Sequence, residues 1–220
     1  MKIYCFSGLG ADERVFSLLK LSSPYELIPV DWIHPIHNES LEEYSRRISE
    51  TIYVKKPFGI LGVSFGGLIA QEISTILKPS FTIVISSIHK KAQIPLLLKF
   101  TPNFLLNRIP SPLFKLPLPV ANYVFGAQNK KLLHQILKDT DYGFVKWALF
   151  AFKNWKSNNE VLNTCFICGE KDRMLKPLEG CVEIANGGHF MVVDLAQEVS
   201  CEINSFLKEF NDVKSSSKLT

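Results

Sequence analysis

The chain is expected to fold as an α/β protein, a three-layer sandwich around a mostly parallel sheet with a helical cap inserted in it. Three features point there. Short apolar runs alternate with helical patterns through residues 1–87, the alternation stops at Ile88 and returns near Leu162, and Gly62-Val63-Ser64-Phe65-Gly66-Gly67 lies where an apolar run gives way to a helical pattern. Strand-length runs separated by helices pair in parallel, because the helix carries the chain back to the sheet end from which it left.

In order, the runs predict a strand at Lys2 to Phe6, a helix over about Glu13 to Leu21, a strand at Tyr25 to Val30 and a helix over about Leu41 to Ile52. A strand at Phe58 to Gly62, a helix at Phe65 to Leu77 and a strand at Phe81 to Ser86 continue the series. Apolar residues at Leu68, Ile69, Ile73, Ile76 and Leu77 give the middle helix one apolar face.

Residues 88–156 break the rhythm with six prolines, many Leu and Phe, and helical patterns over Leu132 to Leu137 and Phe144 to Phe152. They are read as the cap, and residues 1–87 and 157–210 as the core. The core resumes with strands at Thr164 to Cys168 and Cys181 to Ala185 and a closing helix over about Leu195 to Phe210. Residues 211–220 are polar and serine-rich and are expected to fray as a tail.

The 220 residues are 46% hydrophobic and 21% charged, which suits one globular unit with a substantial core. The apolar Ile3 to Phe6 is too short for a signal-peptide core, and no stretch reaches bilayer-spanning length. Five scattered cysteines, an odd number, do not form a disulfide framework, and a cytoplasmic location is expected. Cys165 and Cys168 fall on opposite faces of a strand, so they are read as buried thiols rather than a redox pair. His34 and His37 flank Pro35 in a loop without Cys or Asp partners, which argues against a metal site.

Charge is divided unevenly. The cap holds eleven Lys or Arg against Asp139 and Asp141, a net +9, while the rest of the chain carries −5. Such a face is either a solvated helical surface or a dock for an anionic partner: an acidic carrier protein, a phosphorylated substrate or an anionic membrane.

Gly62-x-Ser64-x-Gly66 between a strand and a helix has the form of a nucleophile elbow, in which a sharp turn lifts the hydroxyl off the sheet. A serine attacks a carbonyl at neutral pH only if a base takes its proton and a carboxylate orients that base. Of five histidines, His189 in Gly187-Gly188-His189-Phe190 follows the last strand and precedes the last helix, which brings it to the edge where the elbow opens. The strand ending at Cys168 leads into Gly169-Glu170-Lys171-Asp172, and Asp172, farther into the loop, is preferred to Glu170 as the orienting acid. Asp194 is read as a cap for the final helix. Oxyanion donors are sought at the Phe65 N–H and at the Leu9 N–H of the loop Ser7-Gly8-Leu9-Gly10. Phe100, Phe104, Trp147, Phe150 and Trp155 are candidates to line an apolar acyl pocket.

The order Ser64, Asp172, His189, with a glycine-rich loop after the first strand and an insertion before the acid, resembles the α/β-hydrolase superfamily over about residues 2 to 210. Within it the chain looks like the small bacterial esterases of the pimeloyl-carrier-protein methyl ester esterase group. Members usually begin with further strands and carry His-Gly in the oxyanion loop, where this chain has Ser7-Gly8. The resemblance therefore implies a minimal sheet of about six strands, with the first and third strands adjacent at its switch point. It implies a serine esterase or thioesterase needing no cofactor or metal. Two other readings keep the same residues: a lyase or carbon–carbon bond hydrolase with His189 as proton shuttle, and a non-catalytic sensor that uses the basic cap as its interface.

Overall fold

A computed structural model describes residues 1–156, 161–177 and 179–216. Its elements run β1 (Lys2–Phe6), β2 (Glu26–Pro29), α1 (Leu41–Ser49), β3 (Gly59–Val63), α2 (Phe65–Leu77) and β4 (Phe81–Ile85). The helices α3 (Leu96–Phe100), α4 (Asn103–Arg108), α5 (Leu118–Phe125), α6 (Lys130–Asp139) and α7 (Tyr142–Asn154) then form the cap. The chain closes with β5 (Thr164–Gly169), β6 (Val182–Ile184), α8 (Met191–Asp194) and α9 (Ala196–Ser216).

The six strands make one all-parallel sheet in the order β2-β1-β3-β4-β5-β6. Pro29, which cannot donate a ladder hydrogen bond, stands on the edge strand, where the loss is tolerated. The order reverses between β1 and β3, and their register sets Phe6 beside Gly62, so the loops leaving both strands emerge together at the carboxyl edge. β4 and β5 are neighbours although the whole cap separates them in sequence, so the insertion leaves from and returns to adjacent strands.

Alternation along the strands builds two cores. Ile3, Cys5, Leu61, Val63, Ile83 and Ile167 face one layer containing α8 and α9. Tyr4, Phe6, Phe58 and Ile60 face the other, with α1, α2 and the inner side of α7. A sheet covered on both faces must be apolar on both, and the fully buried runs of β3 and β4 reflect that. On α1, Ser40 caps the Glu43 N–H while the Glu43 carboxylate accepts from the Ser40 N–H, and Leu41, Tyr44 and Ile48 turn into the core.

Two expectations need correction. The helix anticipated over Glu13 to Leu21 is a single 3-10 turn, Glu13–Phe16, started by the Asp12 carboxylate accepting from the Arg14 N–H. Val15, Phe16 and Leu19 are buried while Leu18 is 48% exposed, too narrow an apolar face to stabilise further turns. At the other end, residues 211–216 continue α9 rather than fraying, and residues 217–220 lie outside the described residues. Among the described residues no helix is long and apolar enough to cross a membrane.

Candidate active site

Ser64 stands between the last residue of β3 and the first of α2, with φ 53° and ψ −119°. That left-handed conformation is strained for a residue with a Cβ, and the surroundings hold it. The Ser64 N–H donates to the Ile85 carbonyl at 2.8 Å, and its own carbonyl accepts from the Gly67 N–H at 2.9 Å. The flanking glycines are required by contact. A Cβ on Gly62 would lie 2.2 Å from the Gly66 carbonyl oxygen, and one on Gly66 would lie 2.2 Å from the carbonyl oxygens of both Phe6 and Ser7. Backbone cannot yield as a flexible side chain does, so Gly66→Ala must push the loop after β1 away from the turn at Ser64. The expected result is a loss of about 1–3 kcal/mol in stability by denaturant titration.

The structure brings Ser64, His189 and Asp172 into one chain of hydrogen bonds. His189 Nε2 is 2.8 Å from Ser64 Oγ, and His189 Nδ1 is 2.8 Å from Asp172 Oδ2. The side chains of His189 and Asp172 are almost wholly buried. Asp172 Oδ1 accepts from the Met174 and Leu175 N–H groups at 2.8 and 3.0 Å, which fixes the carboxylate against rotation. Glu170, the other acid considered, points away and accepts from the Asn186 N–H on the surface.

The loop after β1 is closed on itself. The Ser7 hydroxyl donates to the Ala11 carbonyl at 2.7 Å, and the Trp32 indole N–H donates to Ser7 Oγ at 2.9 Å. Thr140 of the cap donates to the Gly10 carbonyl at 2.8 Å, so cap and core share the task of holding this loop. A Cβ on Gly8 would lie 3.5 Å from the Ser64 Cβ, which puts the loop against the serine. Among the described residues neither the Leu9 nor the Phe65 N–H donates to a backbone carbonyl. Phe65 opens α2, where the helix dipole adds partial positive charge.

The five aromatic residues expected to line a pocket part company. Trp147 packs its ring 6.0 Å from that of Phe65 and donates to the Glu39 carbonyl at 2.9 Å, and Phe150 is half-buried on the same helix. Trp155 is instead a core residue, 1% exposed, its indole N–H given to Glu72 Oε1 at 2.7 Å. Phe100 and Phe104, on the short helices α3 and α4, are instead 75% and 63% exposed.

Other residues at the site carried little sequence signal of their own. Phe125, last residue of α5, sets its ring 5.7 Å from the His189 imidazole, edge to face, and its carbonyl accepts from the Phe190 N–H at 3.0 Å. Gly126, left-handed at φ +61°, ends α5 there, and the Phe-Gly pair after an apolar run is the one cue that sequence offered. Asp194 does not cap α9. Its carboxylate accepts from the Gln128 and Asn129 N–H groups at 2.8 Å each, tying the cap to the helix that follows His189.

Burial pushes the Cys5 thiol well above its ordinary range, and burial, with Glu202 and Glu209 nearby, pushes Cys165 up to about 11. His89 is held below its usual value by burial and then by Lys90, while His34 and His37 lie exposed. Among the described residues no group of three His, Cys, Asp or Glu side chains is placed to hold a metal ion.

No protein-family model and no curated protein matches the chain. Solved structures do. A hydrolase from Oleispira antarctica superposes with a TM-score of 0.72 at 16% identity, covering 94% of this chain and 91% of that one. A lipase-esterase related protein from Clostridium acetobutylicum gives 0.69 at 16% identity, with 93% of each chain covered. The RedJ thioesterase of the prodiginine pathway in Streptomyces coelicolor gives 0.61 at 13% identity, covering 92% and 90%. Likeness at such identities is likeness of fold, and with the six-stranded parallel sheet and the cap between β4 and β5 it shows that this chain has a minimal α/β-hydrolase fold.

Proposed function

We propose that the protein is a serine hydrolase that cleaves a carboxylic ester or thioester through an acyl-enzyme. The observation that carries this reading is the unbroken chain Ser64 Oγ, His189 imidazole, Asp172 carboxylate, with both links at 2.8 Å and the serine on a strained strand-to-helix turn. His189 takes the hydroxyl proton as Oγ bonds to the substrate carbonyl carbon, and Asp172 holds the ring and offsets the imidazolium charge that develops. The tetrahedral oxyanion is met by the Leu9 and Phe65 N–H groups. His189 then gives its proton to the departing alkoxide or thiolate, and the acyl group remains on Oγ. In the second half a water molecule gives a proton to His189 as its oxygen bonds to the acyl carbon, the bond to Oγ breaks, His189 returns the proton to Oγ, and the carboxylic acid leaves.

Rings of the cap stand one layer from this chemistry, Phe125 against His189 and Trp147 against Phe65. They are the residues we assign to the acyl group, and an apolar wall there excludes water that would weaken the electrostatics. A methyl ester on a carrier-bound acyl chain, which the sequence resemblance implies, is one member of this substrate class.

The test is covalent capture. Ser64 Oγ should bond to the phosphorus of a fluorophosphonate and expel fluoride to solvent, with mass spectrometry finding the adduct on the peptide containing Ser64. Short p-nitrophenyl esters and acyl thioesters should both be screened. Labelling elsewhere, or no labelling with no turnover of either class, would remove the assignment.

A further inference from the structure

The cap carries a surface that the proposed chemistry does not use. Among the described residues, nine of the sixteen large hydrophobic side chains left exposed fall between Leu96 and Tyr123. Leu97 is 86% and Leu113 72% exposed. α3 turns Leu98 toward the core and α4 buries Leu106, while Leu96, Leu97, Phe100 and Phe104 stay outside. α3, α4 and the 3-10 turn at Ser111–Phe114 all pack on α7, whose other side meets Tyr44 and Phe65. Their outward side chains therefore share the outer side of the cap.

The same stretch is basic. Lys90, Lys91, Lys99, Arg108 and Lys115 are all exposed, and no Asp or Glu occurs between Glu72 and Asp139. Apolar and cationic residues alternate closely, with Lys99 between Leu98 and Phe100 and Lys115 between Phe114 and Leu116.

We propose that this face docks the protein on an anionic lipid surface. Leu and Phe side chains enter the boundary between headgroups and acyl chains, while the lysines and Arg108 reach back to headgroup phosphates. Protein partners fit the pattern less well, since interfaces between proteins gather apolar residues in a core depleted of charge, and here charge and apolar groups interleave. A second copy is opposed by its own charge, because neither face brings an acid. With no membrane-crossing helix among the described residues, the attachment is peripheral. The proposal does not rest on the reaction assigned to Ser64.

Vesicle flotation with the full chain tests it without any activity readout. The protein should float with vesicles containing phosphatidylglycerol, not with phosphatidylcholine alone, and should be released at high salt. The pairs Leu97→Ser with Leu113→Ser and Lys99→Ser with Lys115→Ser should each weaken binding by about tenfold or more. All four side chains are exposed, so circular dichroism and the melting temperature should match wild type. Failure to float with anionic vesicles, or equal flotation by wild type and both variants, would overturn the proposal. So would capture of the cap by an acidic acyl-carrier protein in place of vesicles, or a dimer that the leucine substitutions dissolve.

Discussion

Ser64→Ala is expected to lower kcat/KM for a short ester by about four to six orders of magnitude and to abolish fluorophosphonate labelling. The size follows from what remains. The alanine variant keeps the His189–Asp172 pair and the backbone donors, so a bound ester still meets a polarising site, but nothing can form the acyl-enzyme. Substrate affinity should change little, since the hydroxyl contributes to the reacting state rather than to binding. Stability separates the two roles of the position. Alanine keeps a Cβ at φ 53° and retains the backbone strain, whereas Ser64→Gly relieves it and should raise stability by about 1 kcal/mol. Unchanged turnover in Ser64→Ala would exclude the serine from the reaction.

Legibility in the sequence followed the range of the interactions involved. The six strands, α1, α2 and the turn from β3 into α2 depend on periods and turns a few residues long, and all were readable. Chain order alone brought Ser64, Asp172 and His189 to one sheet edge, because in a parallel sheet every loop that follows a strand emerges on that edge. The cap was legible as helical but not in the direction of its side chains. With prolines every few residues its short helices set no period, so Phe100 and Phe104 looked like pocket walls and proved to be exposed. Long-range polar ties were hidden for the same reason. Asp194 stands just ahead of a helix, as a capping residue would, yet its carboxylate serves Gln128 and Asn129, more than sixty residues away. Trp155 was counted with the cap because it lies within the inserted segment, while its buried partner, Glu72, lies on α2 of the core.

Asp172→Asn should lower kcat by about ten-thousandfold while leaving KM nearly unchanged. Asp172 Oδ1 faces two N–H donors, Met174 and Leu175, so the asparagine carbonyl must take that place and its NH2 group must turn to His189. An NH2 group can only donate, which forces His189 Nδ1 to accept and moves the ring proton to Nε2. Nε2 then donates to Ser64 Oγ instead of accepting its proton, and the base is lost although every heavy atom stays in place. Stability should change modestly, because each buried polar atom keeps a partner. Asp172→Ala removes all three hydrogen bonds at once and should cost stability as well as rate, leaving the loop N–H groups and the imidazole unpaired in a buried site. The contrast makes the assignment testable: an asparagine variant with near wild-type turnover would mean that Asp172 only braces its loop, and that His189 is oriented by other contacts such as Phe125.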